Sequence, residues 1–516
     1  MGDVTILIGP PGSGKTRDIL RRFVKCATHH GHDSVLLLLP TALVVARTRD
    51  ALMRQRRLPG LFDPRILTFP ALAQAILDAG HQPIAPVSDV QRRLLVADVV
   101  RSLCEDHQLD ALEAASDLPG FPDALCDVFD ELKRAAVKPE RLRAAVDALF
   151  PDDEHARALS VVYAAYQERL AKLNLFDEPG RFWWARDLLR DGKSDFLSGL
   201  RLVLVDGFSD FTTTQMQVLA LVSGLADETV ITLPMEKDQA RAELFDAPRA
   251  TLQSLKQHMP DLQECYLSAS EPSGVISAVT RAVFATQPRD DLSNDDCAVR
   301  IIAAPGTRAE VEDVAREVKR LLLDGHAQPE DVAIVARRLD DYAQPLRDVF
   351  RDFGIPLHLS RPEPASRRPS VQVVLHLLAT IAYDYRRSDV ADFVRSNFVS
   401  LDALQPPKDR ISPDDFDRIA CEAGIIRGRE NWTSHLQAYR KRLEEGLRPS
   451  SERDLDEAED STSASQARVE RVDRTRKLFH ALTKRLEPMR CEASRSKHVA
   501  RLVRLIADFD IPGLLT

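Results

Sequence analysis

The chain has 516 residues, of which 44% are apolar and 29% charged, and its formal net charge is -9 at pH 7. These values are typical of a soluble globular protein long enough for three or four domains. The acidic balance argues against a uniformly basic protein that wraps nucleic acid, although a basic groove on one face is compatible with it.

Seven cysteines are spread along the chain without a CxxC pair, so neither a disulfide framework nor a zinc site is indicated. Such spacing is typical of a reducing compartment. The amino terminus runs directly into a glycine-rich loop and leaves no room for a signal peptide, and no apolar run approaches membrane-spanning length. We therefore expect a cytoplasmic protein without a membrane contact.

The first element is an apolar strand, Val4 to Ile8, which leads into the sequence GPPGSGKT. The glycines of this phosphate-binding pattern let backbone amides face phosphates, its lysine reaches the β and γ oxygens, and its threonine can ligate magnesium. The pattern predicts ATP and Mg²⁺ as cofactors; the alternative is a relic that has lost the nucleotide. The predicted nucleotide-binding residues are Gly9, Pro10, Pro11, Gly12, Ser13, Gly14, Lys15 and Thr16.

Two further apolar runs, Val35 to Leu39 and Arg65 to Phe69, alternate with amphipathic stretches, which is typical of a parallel sheet covered by helices. Residues 87–198 then show helical patterns with few strand candidates. Strand patterns return at Leu202 to Val205 and at Thr229 to Leu233. The first domain is therefore predicted to be discontinuous, with an all-α insertion.

The strand ending at Val205 is followed by Asp206 and Gly207. In phosphate-loop proteins an aspartate at this place holds the magnesium, and a neighbouring glutamate commonly orients the attacking water. Thr16 and Asp206 are therefore the predicted magnesium ligands, whereas Gly207 cannot act as a base. Loss of a general base costs roughly a hundredfold to ten-thousandfold in rate. We predict binding with slow or absent hydrolysis, and expect Gly207→Glu to raise any residual rate.

The second half of the chain begins with a polar linker, Gln287 to Asp296, and continues as a second α/β unit. Beyond about residue 370 the pattern is helical, except for a polar segment, 449–466, predicted to be a mobile loop. The final sequence, DFDIPGLLT, directly follows an amphipathic run, so we expect a chain cut inside a domain. The predicted elements of the second α/β unit are a strand at Val299 to Ala303, a helix around Val311 to Leu322, a strand at Val332 to Ala336 and an extended piece at Ile355 to Leu359.

The sequence DGFSDFTTTQ, starting at Asp206, resembles the DEFQDxxxxQ motif of superfamily 1 helicases of the UvrD and PcrA type, from which it departs at Gly207 and Ser209. The matching residues after the aspartate are Phe208, Asp210 and Gln215. Three other segments, LPTALVVARTRDAL, ILTFPALA and VAIVAR, resemble further motifs of that superfamily in the required order. The resemblance implies DNA contacts by Thr41, Thr68 and Phe69, and a γ-phosphate contact by Arg337.

Within this superfamily the chain resembles the AddB (RexB) subunits of bacterial AddAB helicase-nucleases. The shared features are the loop at the amino terminus, the VDGF strand end, and the strand end TLP at Thr232 to Pro234. The segment Asp117 to Leu142 also resembles their helical insertion. The resemblance covers the whole chain, but only the amino-terminal half of a full-length family member.

The resemblance implies an α/β fold of P-loop NTPase (RecA-like) parallel-sheet domains with large all-α insertions, in a UvrD-like helicase architecture. The domain boundaries that we predict are 1–86 with 199–286 for the discontinuous RecA-like domain 1A, 87–198 for the helical insertion 1B, 287–298 for the linker, 299–384 for a partial RecA-like domain 2A, and 385–516 for a partial helical domain 2B.

The implied function is that of an ATP-binding, DNA-binding, helicase-like subunit of a double-strand-break repair helicase-nuclease. Its partner would be an AddA-like motor subunit in a heterodimer, and it would have weak or no motor activity of its own. The sequence stops before the family's nuclease domain, so no iron-sulfur cluster is expected on these residues. Three alternatives stay open: an active superfamily 1 translocase, a nucleoside or small-molecule kinase with the same loop, and a truncated fragment without function.

Overall fold

The computed structural model describes residues 2–54, 64–81, 84–116, 118, 120–193, 195–237, 241–268, 279, 283–284, 299–360, 365–401, 404–406, 409–446 and 458–511. The chain forms two compact units, Met1–Ile301 and Ile302–Thr516, each with hydrophobic clusters of its own. The predicted linker, 287–298, lies outside the described residues.

A six-stranded parallel sheet forms the centre of the first unit. The strands described there are β1 (Asp3–Gly9), β2 (Val35–Leu38), β3 (Ile66–Leu67), β4 (Ala85–Pro86), β5 (Leu175–Phe176), β6 (Leu202–Val205), β7 (Glu228–Pro234) and β8 (Gln263–Tyr266). The order in the large sheet is β3-β2-β6-β7-β1-β8, and β4 and β5 form a separate parallel pair. The predicted α/β class is confirmed.

Both faces of the sheet are covered, because every residue of β2 and of β6 is buried. Successive side chains of a strand point to opposite faces, so β2, β6 and β7 each contribute to two clusters. Ile231 of β7 belongs to the cluster on one face, and Val230 belongs to the cluster on the other face. Near-continuous runs of Val, Leu and Ile are the sequence pattern that such buried parallel strands require.

Helices surround this sheet and fill the interval between β4 and β6. The α-helices whose bounds the structure describes in the first unit are α1 (Lys15–His30), α2 (Ala42–Arg54), α3 (Phe69–Ala79), α4 (Asp89–Glu105), α5 (Glu113–Ser116), α6 (Phe121–Arg134), α7 (Pro139–Leu149), α8 (Glu154–Lys172), α9 (Glu178–Arg190), α10 (Thr213–Ser223) and α11 (Asp246–His258). Within 87–198 the described chain is helical apart from β5 and the connecting turns, and α4, α6 and α8 share one apolar core. Strand β8, at the sheet edge next to β1, was not predicted.

Helices also make up the second unit. They are α12 (Thr307–Leu323), α13 (Leu339–Asp352), α14 (Pro369–Ala382), α15 (Arg387–Arg395), α16 (Pro413–Glu422), α17 (Arg429–Gly446), α18 (Ala458–Arg490) and α19 (Arg495–Asp508). Helices α12 and α13 pack together around Val311, Ala315 and Phe350. The later helices surround Trp432, which stacks on Phe479 with ring centroids 4.4 Å apart.

The strands predicted at Val299 to Ala303 and at Val332 to Ala336 are not formed. Both segments are irregular, and Ile301 and Val335 are 92% and 91% exposed. An apolar run becomes a strand only when a neighbouring chain completes its hydrogen-bond ladder, and the described part of the second unit contains no strand. The partly buried side chains of Val332 and Ile334 instead pack against the apolar core formed by α12 and α13.

The mobile loop predicted at 449–466 is wrong for its second half, because α18 begins at Ala458. Residues 449–457 lie outside the described residues. The helical part has the sequence AEDSTSASQ, which contains no glycine or proline and continues without a break into the rest of α18, so low hydrophobicity was a poor guide here. Of the helices that the structure describes, none is both long and apolar enough to cross a membrane.

Candidate functional site

Most of the predicted site residues follow strand ends on one edge of the sheet. Since all six strands are parallel, their carboxyl ends meet at this edge, which is where ligands bind in open α/β sheets. The glycine-rich loop follows β1, Asp206 follows β6, Thr41 lies shortly after β2, and Thr68 follows β3. The topology therefore brings together residues that are far apart in the sequence.

The loop between β1 and α1 has the backbone that its glycines permit. Gly12 and Gly14 have φ angles of 81° and 85°, in the left-handed region that side chains rarely adopt. At Gly9 a Cβ atom would lie 2.5 Å from the Ser13 Oγ, so only glycine fits there. Gly14 is the N-cap of α1 and supplies no side-chain cap, unlike Thr68 at the start of α3. The first amides of α1 are thus capped by no side chain, and this suits an anion.

Lys15 places its ammonium group within the loop. Its Nζ donates to the carbonyl oxygens of Gly9 at 2.6 Å and Pro10 at 2.8 Å, and to the Ser13 hydroxyl at 3.2 Å. Burial lowers the pKa of Lys15 below its ordinary value, although the negative charge of Asp206 acts in the opposite direction. Thr16, the second residue of α1, is exposed. The loop therefore combines a cation, helix amides and a hydroxyl, the donor set that binds a nucleotide triphosphate with magnesium.

Asp206 is only 6% exposed and is held from the neighbouring strand. The Thr232 hydroxyl of β7 donates to the Asp206 Oδ1 over 2.6 Å. The same hydroxyl accepts a longer hydrogen bond of 3.4 Å from the Gly207 amide. Because β6 and β7 pair with Val205 opposite Ile231, Asp206 and Thr232 are the next residues along each strand. Thr232 was not predicted as a site residue, and the unusual TLP strand end was the signal that could have found it.

Gly207 has a φ angle of 85°, and a Cβ atom there would lie 3.3 Å from Cδ of Pro40. A glutamate at 207 would therefore be strained by its backbone and would also press on the β2 loop. The sequence predicts that a base is missing; the structure shows that the backbone is built for glycine. We therefore no longer expect Gly207→Glu to raise the rate of ATP hydrolysis, because the new side chain would be strained at this position.

The segment after Asp206 is anchored by three aromatic rings. Phe208 and Phe211 stack with centroids 5.2 Å apart, and Phe69 meets their edges at 5.3 and 5.7 Å. Phe69 is 1% exposed, so a direct stack on a nucleic-acid base would require this cluster to open. Phe69 links α3 to the Asp206 segment, and its predicted contact with DNA stays a prediction.

Four polar residues of the predicted motifs cap helices. The Thr41 and Thr68 hydroxyls accept from the amides of Val44 and Ala71, both at 3.3 Å. Gln215 and Thr212 form a reciprocal capping box at the start of α10. The glutamine of the DGFSDFTTTQ sequence thus orients the helix that follows Asp206, while Asp210 is exposed.

Arg337, the predicted γ-phosphate arginine, belongs to the second unit. It is exposed and directly follows the irregular segment 332–336. Its role stays a prediction.

A buried ion pair in the helical insertion was not foreseen. The Lys133 ammonium contacts both carboxylate oxygens of Asp177 at 2.6 Å, and the Tyr166 hydroxyl and the Gly180 amide each donate to that carboxylate over 2.9 Å. Arg92 lies 3.9 Å from the same group. Burial alone would raise the pKa of Asp177, but Lys133 outweighs it and holds the pKa below its ordinary value. This cluster ties together α4, α6, α8 and α9.

The fold and the strand-end residues define a class: an α/β protein with a parallel sheet, a large helical insertion, and a glycine-rich loop beside a buried carboxylate. The chain belongs to the AddB family, because residues 6–272 match the family described as ADDB, N-terminal.

Curated relatives agree with this assignment. The AddB component of the ATP-dependent helicase/deoxyribonuclease of Pelotomaculum thermopropionicum is 29% identical over 77% of this chain and 36% of its own length. The corresponding proteins of Desulforudis audaxviator and Bacillus velezensis are 27% and 26% identical, over 77% and 84% of this chain and over 35% and 38% of their own lengths. The chain thus spans little more than a third of the length of these relatives.

Proposed function

We propose that this chain is an ATP-binding, DNA-contacting subunit of a helicase-nuclease for double-strand-break repair, and that an AddA-like partner supplies the motor activity. The observation that carries the proposal is an intact phosphate-loop sequence together with Gly207. This glycine has a left-handed backbone and stands where a glutamate is expected. The relatives are named as subunits of an ATP-dependent helicase/deoxyribonuclease, which supports the partner and the substrate.

The proposed nucleotide site consists of residues 9 to 16, with Thr16 and Asp206 as magnesium ligands. Within the described residues, no group of three or more His, Cys, Asp or Glu side chains is placed to hold a metal. Magnesium binds readily through one or two protein ligands together with phosphate oxygens. Magnesium would therefore be held by Thr16 and Asp206 together with the phosphate oxygens of a bound nucleotide.

The parallel order of the first unit supports a RecA-like domain made of 1–86 and 199–286, interrupted by the helical insertion 87–198. In this arrangement β7 separates the phosphate-loop strand β1 from the carboxylate strand β6. A UvrD-like architecture, with 299–384 as a partial domain 2A and 385–516 as a partial domain 2B, rests on the resemblance alone.

Thr41 and Thr68 are the proposed DNA contacts, because they lie at the ligand edge of the sheet and at the starts of helices. Phe69 would act indirectly, by holding Thr68 in place. Replacing both threonines with serine should keep the helix caps and single-stranded DNA affinity. Replacing them with valine should lower that affinity in a fluorescence anisotropy assay, and equal affinities would remove both residues from the DNA site.

Arg337 is the proposed γ-phosphate arginine. The neighbouring Arg338 is ion-paired with Asp341 and provides the matched control. Arg337→Ala should reduce the preference for ATP over ADP, whereas Arg338→Ala should not. An unchanged preference in both variants would exclude Arg337 from the nucleotide site.

Calorimetric titration of the purified chain with ATP and Mg²⁺, followed by a turnover assay with single-stranded DNA, tests the central proposal. We expect saturable ATP binding that Lys15→Ala abolishes, and turnover that stays at background when DNA is added. Robust DNA-stimulated turnover by the wild-type chain would identify an active translocase instead. Absence of ATP binding would identify a relic loop.

A further inference from the structure

We infer that Thr232 is a positioning residue for magnesium: its hydroxyl holds the Asp206 carboxylate in the orientation that a nucleotide-bound magnesium ion requires. This inference rests on the proposed ATP site and deepens it. Thr232 itself would touch neither the nucleotide nor the metal. It would act through Asp206, to which it donates the 2.6 Å hydrogen bond.

The direction of this hydrogen bond follows from the groups on either side of the hydroxyl. The Gly207 amide can only donate, and it points at the Thr232 oxygen over 3.4 Å. The Thr232 proton is therefore directed to the Asp206 carboxylate, which can only accept when it is ionised. A hydrogen bond to an ionised acceptor is shorter and roughly twice as strong as a neutral one. The result is a directed chain from Gly207 through Thr232 to Asp206.

The strand register places Thr232 on the face of the sheet that α1 covers. Val230, two residues earlier on β7, shares that face and lies in a cluster with Ile19 and Phe23 of α1. Thr232 is 2% exposed, so the hydroxyl is fixed between the sheet and the helix that carries Lys15 and Thr16. A carboxylate that ligates a metal usually depends on such an orienting hydrogen bond, and its loss costs about 10-fold to 100-fold in metal affinity.

The same geometry links two separate sequence features. The VDGF strand end supplies Asp206 and the amide of Gly207, and the TLP strand end supplies the threonine between them. The amide of Gly207 approaches Thr232 from a residue with a φ angle of 85°, a backbone state that glycine favours. Gly207, which stands where a catalytic base is expected, thus belongs to the hydrogen-bonded group that orients the Asp206 carboxylate.

The test compares the ATP affinity in excess Mg²⁺ with that in excess EDTA, by calorimetry on the whole chain. We expect Thr232→Val to reduce the gain in affinity due to Mg²⁺ by about tenfold or more, and to leave the EDTA affinity unchanged. Thr232→Ser retains the hydroxyl and should retain the gain. A gain that is equal in the wild type and in Thr232→Val would overturn the inference.

Thr229 on the same strand provides a matched control. It is fully buried, and its hydroxyl has no hydrogen-bond partner among the residues that the structure describes. Thr229→Val should therefore leave the magnesium gain unchanged, and an equal loss in both valine variants would point to general damage of β7 and overturn the inference. Should Thr232→Val not fold, as judged by circular dichroism, Thr232→Ala makes the same comparison.

A double variant separates this inference from the proposed function. In an Asp206→Asn background, Thr232→Val should have no further effect on the magnesium gain; an additive loss would contradict action through Asp206. If the wild type binds no ATP, or if Lys15→Ala binds it equally well, the proposed function fails and this inference with it. If ATP binds through Lys15 and the gain in ATP affinity due to Mg²⁺ does not depend on Thr232, only the inference fails.

Discussion

Gly207 shows at the scale of one residue how an apparent loss can be a structural requirement. A positive φ angle and the approach of Pro40 both disfavour a side chain at this position. The residue therefore differs from a glutamate that has simply been deleted, since the backbone around it has no place for the larger residue. Restoration of a base would require the β2 loop to move as well.

Gly207→Ala and Gly207→Glu are each expected to destabilise the chain by about 1–2 kcal/mol, the usual cost of a left-handed backbone in a non-glycine residue. We also expect no rise in ATP turnover in Gly207→Glu. Urea unfolding measures the first effect. Gly120→Ala is the control, because Gly120 has a φ angle of -87° and no atom of the described residues lies within 4 Å of its Cβ position. A stable Gly207→Glu chain with increased turnover would contradict this account.

Two threonines of β7 should respond in opposite ways to the loss of a hydroxyl. Thr229→Val removes a buried hydroxyl that finds no partner within the described part of the chain, so stability should stay level or rise by about 1 kcal/mol. Thr232→Val takes a donor away from a buried carboxylate and should cost about 1–3 kcal/mol. Thermal unfolding of both variants checks the difference, and equal effects would show that the hydrogen bonds of Thr232 contribute nothing.

At the scale of elements, the helical insertion is held together by charge as well as by apolar packing. The Lys133 and Asp177 side chains are almost fully buried, and the Asp177 carboxylate also caps the start of α9. This arrangement favours glycine at position 180, because a Cβ atom there would lie 2.5 Å from the Asp177 Oδ1. The orientation of α9, which contacts the sheet-side core, thus depends on one ion pair in the insertion.

Lys133→Met should destabilise the chain by about 3–5 kcal/mol, because it leaves the Asp177 carboxylate buried and unpaired. The matched change is Arg93→Met, which breaks the exposed 2.5 Å pair with Asp123 and should cost about 0–1 kcal/mol. Chemical denaturation followed by circular dichroism measures both variants. Similar costs in the two variants would mean that burial of the pair has no energetic consequence.

On the scale of the whole molecule, the proposed contact with DNA has to be made by a chain whose formal net charge is -9. Electrostatic attraction to phosphates must then come from local basic faces, since the total charge is repulsive. In the proposed function, ATP would act as a bound ligand that stabilises the loop and its strands, and the proposed partner would supply the energy for translocation.

In a complex with an AddA-like subunit, Lys15→Ala is expected to leave DNA-stimulated ATP turnover unchanged, because in the proposed site Gly207 stands where a catalytic base is expected. A substitution of the partner's own phosphate-loop lysine should abolish that turnover. A coupled assay on the reconstituted complex measures both rates. Loss of turnover in the Lys15→Ala complex would show that this chain hydrolyses ATP and would overturn the proposal that it is a non-motor subunit.

Local sequence patterns are enough to specify several features of this protein. Buried parallel strands need uninterrupted apolar runs, so β1, β2, β6 and β7 were predictable, as were the glycine loop and Asp206. The α/β class and the AddB resemblance followed from these segments and their order. Local sequence is sufficient for the strands, the glycine loop and Asp206, because each of them is encoded within about ten consecutive residues.

Other features depend on neighbours from elsewhere in the chain. The segments around Ile301 and Val335 have strand-like sequences but no described ladder partner, so they remain irregular. Phe69 is predicted to contact DNA and is buried by Phe208 and Phe211. Pairing of β6 with β7 sets Thr232 against Asp206, 26 residues apart in the sequence. No local pattern carries these contacts, because the register of a parallel sheet is fixed by the packing of its helices and strands together.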